Sequence, residues 1–271
     1  MRDQQHPIPN VLTIAGSDSG GGAGIQADLK TFSALQAFGA SVLTALTAQN
    51  TRQVTAIHAV PADFVRAQLD AVFDDIRIAA VKVGMLATAA IIDAVADRLR
   101  HHRPPHVVLD PVMVAKSGDR LLLPDAVSAL RRALPLATIV TPNLPEAGAL
   151  LDRPAPRTEE EMRRAGRELL KLGPRAVFMK GGHMDGPELV DLVISADGEL
   201  RLASPKQVTR NTHGTGCTLS SALAAYLARG FSLREAAERA KAFMDASIAG
   251  ARDLDVGRGN GPVHHFHALW K

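Results

Sequence analysis

The sequence is poor in the residues that mark several protein classes. It has a single cysteine, Cys217, and only 4% of its 271 residues are aromatic. One cysteine excludes an internal disulfide framework and is typical of a reducing compartment, so we expect a cytoplasmic protein. No apolar run is long enough to span a membrane, and the polar start, Met1–Asn10, does not resemble a signal peptide.

An excess of charge of one sign is also absent. Lysine and arginine number 31 and aspartate and glutamate 28, which leaves a net charge of +3 without charged blocks. Nucleic-acid binding usually needs a basic patch, often with aromatic residues for stacking, and the sequence has neither feature. We therefore expect neither nucleic acid nor a membrane as a partner. Apolar residues make up 46% of the chain, enough for a large aliphatic core.

What the sequence does contain is a regular alternation of two patterns. Short apolar runs such as Val11–Ala15 and Val107–Val112 are typical of strands buried on both faces. Between such runs lie segments of helical periodicity, for example Ile25–Phe38, which Gly39 closes. The alternation predicts one α/β domain over residues 1–271, with a mostly parallel sheet, helices on both faces and a flexible start at residues 1–10.

Some segments do not fit this alternation and predict smaller features. Gln53–Val60 alternates in polarity and should form an edge hairpin or flap. Glu188–Ile194 and Glu199–Ala203 flank Asp197-Gly198, a favourable turn dipeptide, and should form a second hairpin. The part of the flap around Thr51–Ala59 and the segment Lys116–Leu123 are candidates for mobile covers that would exclude water from an active site.

The most informative stretch is Asn211–Thr218, which opens directly into a helical pattern. Gly214, Thr215 and Gly216 would present backbone N–H groups at the helix start, and these favour a phosphate. Cys217 stands at the same place, where we expect a lowered pKa and a partial thiolate. The stretch alone also fits a tight turn with a buried cysteine, and it lacks the lysine of a Walker motif.

Polar residues follow several predicted strands. Asp110, Asn143 with Glu146, and Lys180 stand where strands end. Ligands of parallel α/β sheets bind at the carboxyl ends of the strands, so these residues should meet the Gly214–Cys217 loop. The glycine-rich turn Gly16–Gly24 after the first strand invites a dinucleotide interpretation, but its glycine spacing does not match that fingerprint. It can equally enclose a small substrate.

The ordered motifs resemble those of the hydroxymethylpyrimidine/phosphomethylpyrimidine kinase family. The motifs are Ala15–Asp28, Thr44–Thr51, Val81–Leu86, Asp110–Met113, Thr141–Asn143 with Glu146, and His213–Cys217. The resemblance covers about residues 10–268. It implies a ribokinase-like α/β/α fold, a homodimer, and use of ATP with Mg²⁺. The implied reaction phosphorylates 4-amino-5-hydroxymethyl-2-methylpyrimidine and then its monophosphate, in thiamine biosynthesis.

The resemblance also implies roles for individual residues. The substrate would contact Gln49, Ala23, Asp28, Met85 and Val112. Asp110 and Glu146 would bind the magnesium ion, directly or through water. The ATP phosphates would lie near Lys180, Asn143 and Thr212. The moving phosphoryl group would be held by Gly214, Thr215 and Gly216, with Cys217 as the base. Asp18 can instead brace its own loop, and we assign it no ligand.

Three other functions are alternatives, of which a catalytically silent nucleotide-binding regulator is disfavoured by intact Asp110, Glu146, Gly214–Gly216 and Cys217. Pyridoxal kinases are relatives that phosphorylate pyridoxal, and some carry a second cysteine in the lid segment. This chain has Ala115 there, which favours the pyrimidine. An acyl-transfer enzyme with Cys217 as nucleophile would need a positioned histidine, and His213 is near in sequence. ATP dependence separates this function from a kinase.

Overall fold

The computed structural model describes residues 8–115, 118, 121–122, 125–182 and 186–270. Within them the strands are β1 (Asn10–Asp18), β2 (Phe38–Gln49), β3 (Val54–Ala59), β4 (Ile78–Val83), β5 (Val107–Leu109), β6 (Ile139–Val140), β7 (Ala176–Met179), β8 (Glu188–Ser195) and β9 (Gly198–Pro205). The α-helices are α1 (Gly24–Ala34), α2 (Ala62–Asp75), α3 (Ala89–His102), α4 (Ala126–Ala133), α5 (Leu144–Leu151), α6 (Glu159–Leu170), α7 (Thr215–Ala228) and α8 (Leu233–Ala249). Short 3₁₀ turns occupy Leu134–Leu136 and Gly250–Asp253.

The strands form one sheet in the order β3-β2-β1-β4-β5-β6-β7-β8-β9. The pairs from β2 through β7 are parallel, while β3, β8 and β9 are antiparallel additions at the two edges. The predicted mostly parallel sheet, the flap at β3 and the β8–β9 hairpin are therefore confirmed. Because β1 and β4–β7 run in one direction, their carboxyl ends lie along the same side of the sheet.

Two apolar cores lie on opposite faces of the sheet. Leu12 and Ile14 of β1 join one core, and Val11 joins the other, as the two-residue period of a strand requires. The first core packs against helices α2 to α6, and the second packs against α1, α7 and α8. Each inner strand is thus covered on both faces, which explains the continuous apolar runs in the sequence.

Several boundaries differ from the sequence prediction. Phe38 does not extend α1 but begins β2 and is 57% exposed, because Gln36 with a φ of +60° reverses the chain after Leu35. Strand β5 ends at Leu109 rather than Val112, since Pro111 has no N–H group for the next ladder bond. The sequence prediction also missed α5 altogether, because its start was interpreted only as a strand end.

Some predictions fall on residues that the structure does not describe. Most of the proposed cover at 116–123, and residues 1–7 of the proposed flexible start, lie outside the described residues. Asn10, which was assigned to that start, already pairs with Phe38 and Ile78 in the sheet. Within the described part of the chain, none of the helices has the length and apolar character needed to cross a membrane.

Candidate active site

A cavity of about 1270 Å³ opens along the carboxyl ends of the parallel strands. Its lining includes every residue that the resemblance implied except Asp28. The ends of β1, β2 and β4 to β7 and the first turn of α7 converge there, so residues far apart in sequence share one space. The convergence inferred from separate strand ends is confirmed as a placement, whereas the role of each residue stays a prediction.

The first turn of α7 forms one wall of the cavity. Gly214 precedes it with a φ of +82°, a conformation that glycine adopts without strain. A Cβ on Gly214 would lie 1.9 Å from the carbonyl oxygen of Gly22, so the glycine-rich loop after β1 packs directly on this turn. No side chain caps α7. The N–H of Thr215 makes a long bond of 3.4 Å to the carbonyl of Thr212. The N–H groups of Gly214, Thr215 and Gly216, called the anion cradle below, are suited to hold an anionic ligand.

An ion pair faces this turn from the sheet. Lys180 Nζ lies 2.8 Å from Asp110 Oδ1 and 3.8 Å from Glu146 Oε2. A Cβ on Gly216 would lie 3.3 Å from Lys180 Nζ and 3.5 Å from Asp110 Oδ2, so the pair stands against the helix start. Burial opposes ionisation of Asp110, but the charges of Lys180 and Lys82 outweigh it and lower the pKa of Asp110. The site thus holds fixed charges of both signs beside an anion cradle.

Asn143 and Glu146 form a reciprocal cap at the start of α5. The N–H of Glu146 donates to Asn143 Oδ1, and the N–H of Asn143 donates to Glu146 Oε2, both at 2.8 Å. Burial raises the pKa of Glu146 to about 7, even though Lys180 opposes the shift. The cap gives both residues a structural role, and it orients the Glu146 carboxylate toward Lys180.

The carboxylates of Asp110 and Glu146 fit a magnesium ion whose coordination shell is completed by substrate phosphates and water. Mg²⁺ is usually held by one or two carboxylates together with water and substrate phosphates. Asp110 and Glu146 supply such a pair of oxygen donors beside the anion cradle. The described residues contain no cluster of three or more ligating side chains, so a cage built by the protein alone is not formed there.

Cys217 lies at the cavity wall, but its thiol differs from the prediction. Burial raises its pKa to about 11, and the charges of Asp28 and Asp110 add to the effect against that of Lys82. The N–H of Gly24 donates to the sulfur without reversing the shift. The expected lowered pKa is therefore wrong, because the prediction considered the helix start and ignored burial and the neighbouring carboxylates.

Asp28 does not contact the cavity. Its side chain is fully buried, and Lys82 Nζ lies 2.9 Å from both carboxylate oxygens. Thr13 and Ser221 donate to the same carboxylate at 2.6 and 2.7 Å. The prediction that Asp28 contacts the substrate is corrected: it joins α1, β1, β4 and α7 beneath the cavity. Ser221 lies one helical turn after Cys217, so this network anchors the helix that carries the cradle.

The opposite end of the cavity is closed by the glycine-rich loop and β2. Gln49, Ala23, Met85 and Val112 line it, as predicted. Asp18 accepts N–H bonds from Gly20, Gly22 and Ala23, so its suggested role as a loop brace is confirmed. This end offers neutral amide groups and apolar surface, which suit an aromatic ring with a polar edge.

His213 is not arranged as the partner of a cysteine nucleophile. Its Nε2 lies 2.8 Å from Asp18 Oδ2, and the described contacts include no hydrogen bond from His213 to Cys217. Acyl-transfer chemistry needs a base in hydrogen-bond reach of the nucleophile. The geometry therefore does not support the acyl-transfer alternative.

Comparison with known proteins agrees with this geometry. The family model described as phosphomethylpyrimidine kinase matches residues 18–264. The chain belongs to this kinase family. A hydroxymethylpyrimidine/phosphomethylpyrimidine kinase of Escherichia coli (strain K12) is 56% identical, over 96% of this chain and 98% of the relative.

Solved structures agree with the fold as well. The ADP complex of Bacillus subtilis pyridoxal kinase has a TM-score of 0.89 and 37% identity, over 97% of this chain and 100% of that one. Phosphomethylpyrimidine kinase from Clostridium difficile 630 has a TM-score of 0.79 and 44% identity, over 89% and 99%. The α/β fold is thus the ribokinase-like fold that the resemblance implied.

Within this family site, sequence reasoning missed two buried charged residues that line the cavity. Lys82 is fully buried, and the charge of Asp28 outweighs burial and holds its pKa above the ordinary value. Asp191 accepts the N–H of Gly181 at 2.8 Å, and burial raises its pKa to about 6. Each is a charged residue flanked by apolar residues within its strand, and that signal could have identified both.

Proposed function

We propose that this chain transfers the γ-phosphoryl group of ATP to the hydroxymethyl group of 4-amino-5-hydroxymethyl-2-methylpyrimidine. It then phosphorylates the monophosphate in a second transfer, as part of thiamine biosynthesis. The observation that carries this proposal is the placement of the α7 cradle, the Lys180–Asp110 pair and Gln49 around one cavity. A phosphoryl donor and an aminopyrimidine can meet there.

Phosphoryl transfer requires positioning and stabilisation of charge more than covalent chemistry. The N–H groups of Gly214, Thr215 and Gly216 hold the moving group, while Lys180 balances its negative charge. Asn143 and Thr212 line the cavity beside the phosphates. Mg²⁺, held by Asp110 and Glu146, would supply further neutralisation of the phosphate oxygens when bound.

The nucleotide occupies the part of the cavity that extends from α7 toward α8. Leu219, Met244 and Ile248 give this part an apolar wall that suits a flat base. Asp245 and Gln207 stand at the same end and offer polar contacts for a ribose. The pyrimidine then occupies the Gln49 end, so the two substrates approach the α7 cradle from opposite sides.

Cys217 accepts the proton of the attacking alcohol in the first transfer. Its raised pKa of about 11 keeps the thiol mostly protonated at neutral pH, but the small thiolate fraction is a strong base. The monophosphate is already an anionic nucleophile and needs little help from a base. The two transfers therefore depend differently on this residue.

Pyridoxal phosphorylation is the second candidate activity. The observation in its favour is the TM-score of 0.89 to a pyridoxal kinase. Ala115 stands in the lid segment where some relatives carry a second cysteine, so a lid thiol cannot trap the aldehyde here. We propose pyridoxal as at most a side substrate.

We further propose a homodimer that works in the cytoplasm. The edge strand β3 has an exposed run from Thr55 to Ala59, and Ile57 is 41% exposed there. Such an edge is a ready surface for a second copy. The single cysteine also suits a reducing compartment. Light scattering on a sizing column tests the dimer, and a monomer at assay concentration contradicts it.

An ADP-coupled assay tests the activity. The pyrimidine alcohol, its monophosphate and pyridoxal are supplied side by side with ATP and Mg²⁺. We expect kcat/KM to be highest for the alcohol and its monophosphate and much lower for pyridoxal. ADP release with pyridoxal alone, or with none of the three compounds, would reject the proposal.

A further inference from the structure

Two residues of the recognised motifs have no part in the chemistry above. Asp18 is 3% exposed, and its Oδ2 lies 2.8 Å from His213 Nε2. The same carboxylate accepts the N–H groups of Gly20, Gly22 and Ala23 at 2.8, 3.1 and 2.9 Å. An ionised carboxylate can only accept, so His213 carries a proton on Nε2 whether its ring is neutral or charged.

The side-chain amide of Gln49 lies between His213 and Thr47. Its nitrogen is 3.4 Å from His213 Nε2, and its oxygen is 3.0 Å from Thr47 Oγ1. Thr47 Oγ1 is also 3.0 Å from the carbonyl oxygen of Ser17, which can only accept. The single hydroxyl hydrogen of Thr47 can serve only one of these two oxygens, and when it goes to Ser17 its lone pair faces Gln49.

His213 and Thr47 thus discriminate between the two orientations of the Gln49 side-chain amide. A half-turn of the amide exchanges nitrogen and oxygen with almost no change of shape. With the nitrogen toward His213, two donors face each other. With the oxygen toward His213, Gln49 accepts a share of the Nε2–H and its nitrogen donates to Thr47. With the Thr47 hydrogen on Ser17, this second orientation is the one that gives both Thr47 and His213 a complementary partner in Gln49.

We propose that Asp18 and His213 are positioning residues that fix the orientation of the Gln49 amide and, through it, which way round the pyrimidine lies. The inference rests on the proposed function, because it names the substrate edge that Gln49 reads. One N–H and one lone pair of the amide stay free, and they match the ring nitrogen N3 and the 4-amino group. With the amide fixed, the ring binds one way round, and the adjacent hydroxymethyl group is presented on one side only.

The chain of contacts Asp18–His213–Gln49, called the relay below, is held in place by charge and packing. Although burial opposes it, the hydrogen bond and charge of His213, with the N–H groups of Gly20 and Ala23, lower the pKa of Asp18. A Cβ on Gly22 would lie 2.3 Å from His213 Cδ2 and 3.1 Å from Nε2, so this edge of the imidazole packs against the loop. The backbone N–H of His213 also donates to the carbonyl of Gly261 at 2.9 Å. The ring therefore has little freedom to turn, and a substitution of its side chain leaves the backbone bond in place.

A double-mutant cycle tests the relay. We expect His213→Phe to raise KM for the pyrimidine alcohol roughly five- to tenfold, as loss of one neutral hydrogen bond does, with kcat changed less than twofold. Gln49→Ala should raise KM at least as much. In the Gln49→Ala background, His213→Phe should add less than twofold, because the relay acts only through the amide. Independent, multiplying effects would overturn the proposal.

Matched substitutions and a substrate probe separate positioning from structure. His101→Phe changes an exposed histidine on α3 and should leave KM unchanged. His213→Gln keeps a donor toward Asp18 and should recover part of the affinity. The 5-hydroxymethyl-2-methylpyrimidine analogue lacks the amino group, so its KM should not respond to His213→Phe. A response equal to that of the aminopyrimidine would contradict the relay.

Folding and the parent proposal are checked separately. If His213→Phe lowers the melting temperature or abolishes ADP binding, Thr47→Val is used in its place. Thr47→Val removes the other partner of the Gln49 amide, so its effect on KM should likewise nearly vanish in the Gln49→Ala background. Additive behaviour of Thr47→Val with Gln49→Ala overturns the inference. If the wild-type enzyme does not phosphorylate the aminopyrimidine at all, the proposed function fails first, and the two failures are thereby distinguished.

Discussion

The two ends of the cavity are built from different chemistry. At the phosphoryl end, Lys180, Asp110 and Glu146 are buried charges set against a helix start. At the pyrimidine end, Gln49 and Thr47 offer neutral hydrogen bonds, and the hydrogen-bonded pair Asp18–His213 lies behind them. Electrostatic stabilisation accelerates a reaction, whereas neutral donors and acceptors distinguish substrates at modest energetic cost. We therefore expect substitutions at the first end to lower kcat and those at the second to raise KM.

The largest effect should follow removal of the central carboxylate. Asp110→Asn leaves Lys180 without its nearest counter-charge and removes a donor for Mg²⁺, so kcat for both transfers should fall roughly a hundred- to thousandfold. Steady-state ADP release measures it. Asp197→Asn, in the exposed β8–β9 turn, is the matched control and should be neutral. A rise in KM with unchanged kcat for Asp110→Asn would contradict the distinction between the two ends.

A step-specific loss should follow removal of the thiol. Cys217→Ala should reduce the first transfer roughly a hundredfold, since a general base is lost, and should reduce the second by less than tenfold. The two steps are assayed separately at saturating alcohol and saturating monophosphate. Cys217→Ser keeps the size of the side chain and should remain intermediate. Equal losses in both steps would count against the base role.

The pH dependence should separate the same two steps. Because the pKa of Cys217 is raised to about 11, the thiolate fraction of the free enzyme rises about tenfold per pH unit below that value. Ionisation of Glu146 near pH 7 should affect both transfers alike. We therefore expect kcat/KM for the alcohol to keep rising from pH 7 to 9, while that for the monophosphate levels off. A plateau for the alcohol below pH 8 contradicts this thiol environment.

The smallest effect concerns stability and has a matched pair within the chain. Asn143 with Glu146, and Ser232 with Glu235, are both reciprocal caps, but only the first lines the cavity. Asn143→Ala and Ser232→Ala should each lower the free energy of unfolding by about 1 kcal/mol. Only Asn143→Ala should also lower kcat/KM, measured beside urea titrations. Loss of activity in both would show that capping alone matters.

Much of the fold could be predicted because its signals are local. Apolar runs predicted the buried strands, and Asp197-Gly198 predicted the β8–β9 hairpin. Helix α5 was missed because Pro142–Glu146 was interpreted only as a strand end, although Asn143 and Glu146 have the spacing of a cap. Phe38 was misplaced because helical periodicity continued past a turn that only the backbone of Gln36 reveals.

The site divides in the same way. The residues that meet at the strand ends could be predicted, since parallel strands bring their carboxyl ends together. The burial and the charged neighbours of each residue could not be predicted. Lys82 and Asp28 were not recognised as a buried pair, because nothing local links β4 to α1.

By itself the sequence determined the alternation of strands and helices, the anion cradle before α7 and the set of residues that can reach it. Tertiary structure alone decided that Cys217 has a raised pKa, that Asp28 lies beneath the cavity and that His213 faces Asp18. The physical reason is the separation along the sequence between the groups that determine each property. Periodicity and turn chemistry depend on neighbours along the chain, whereas burial, ionisation and side-chain orientation depend on groups that folding brings together from distant segments.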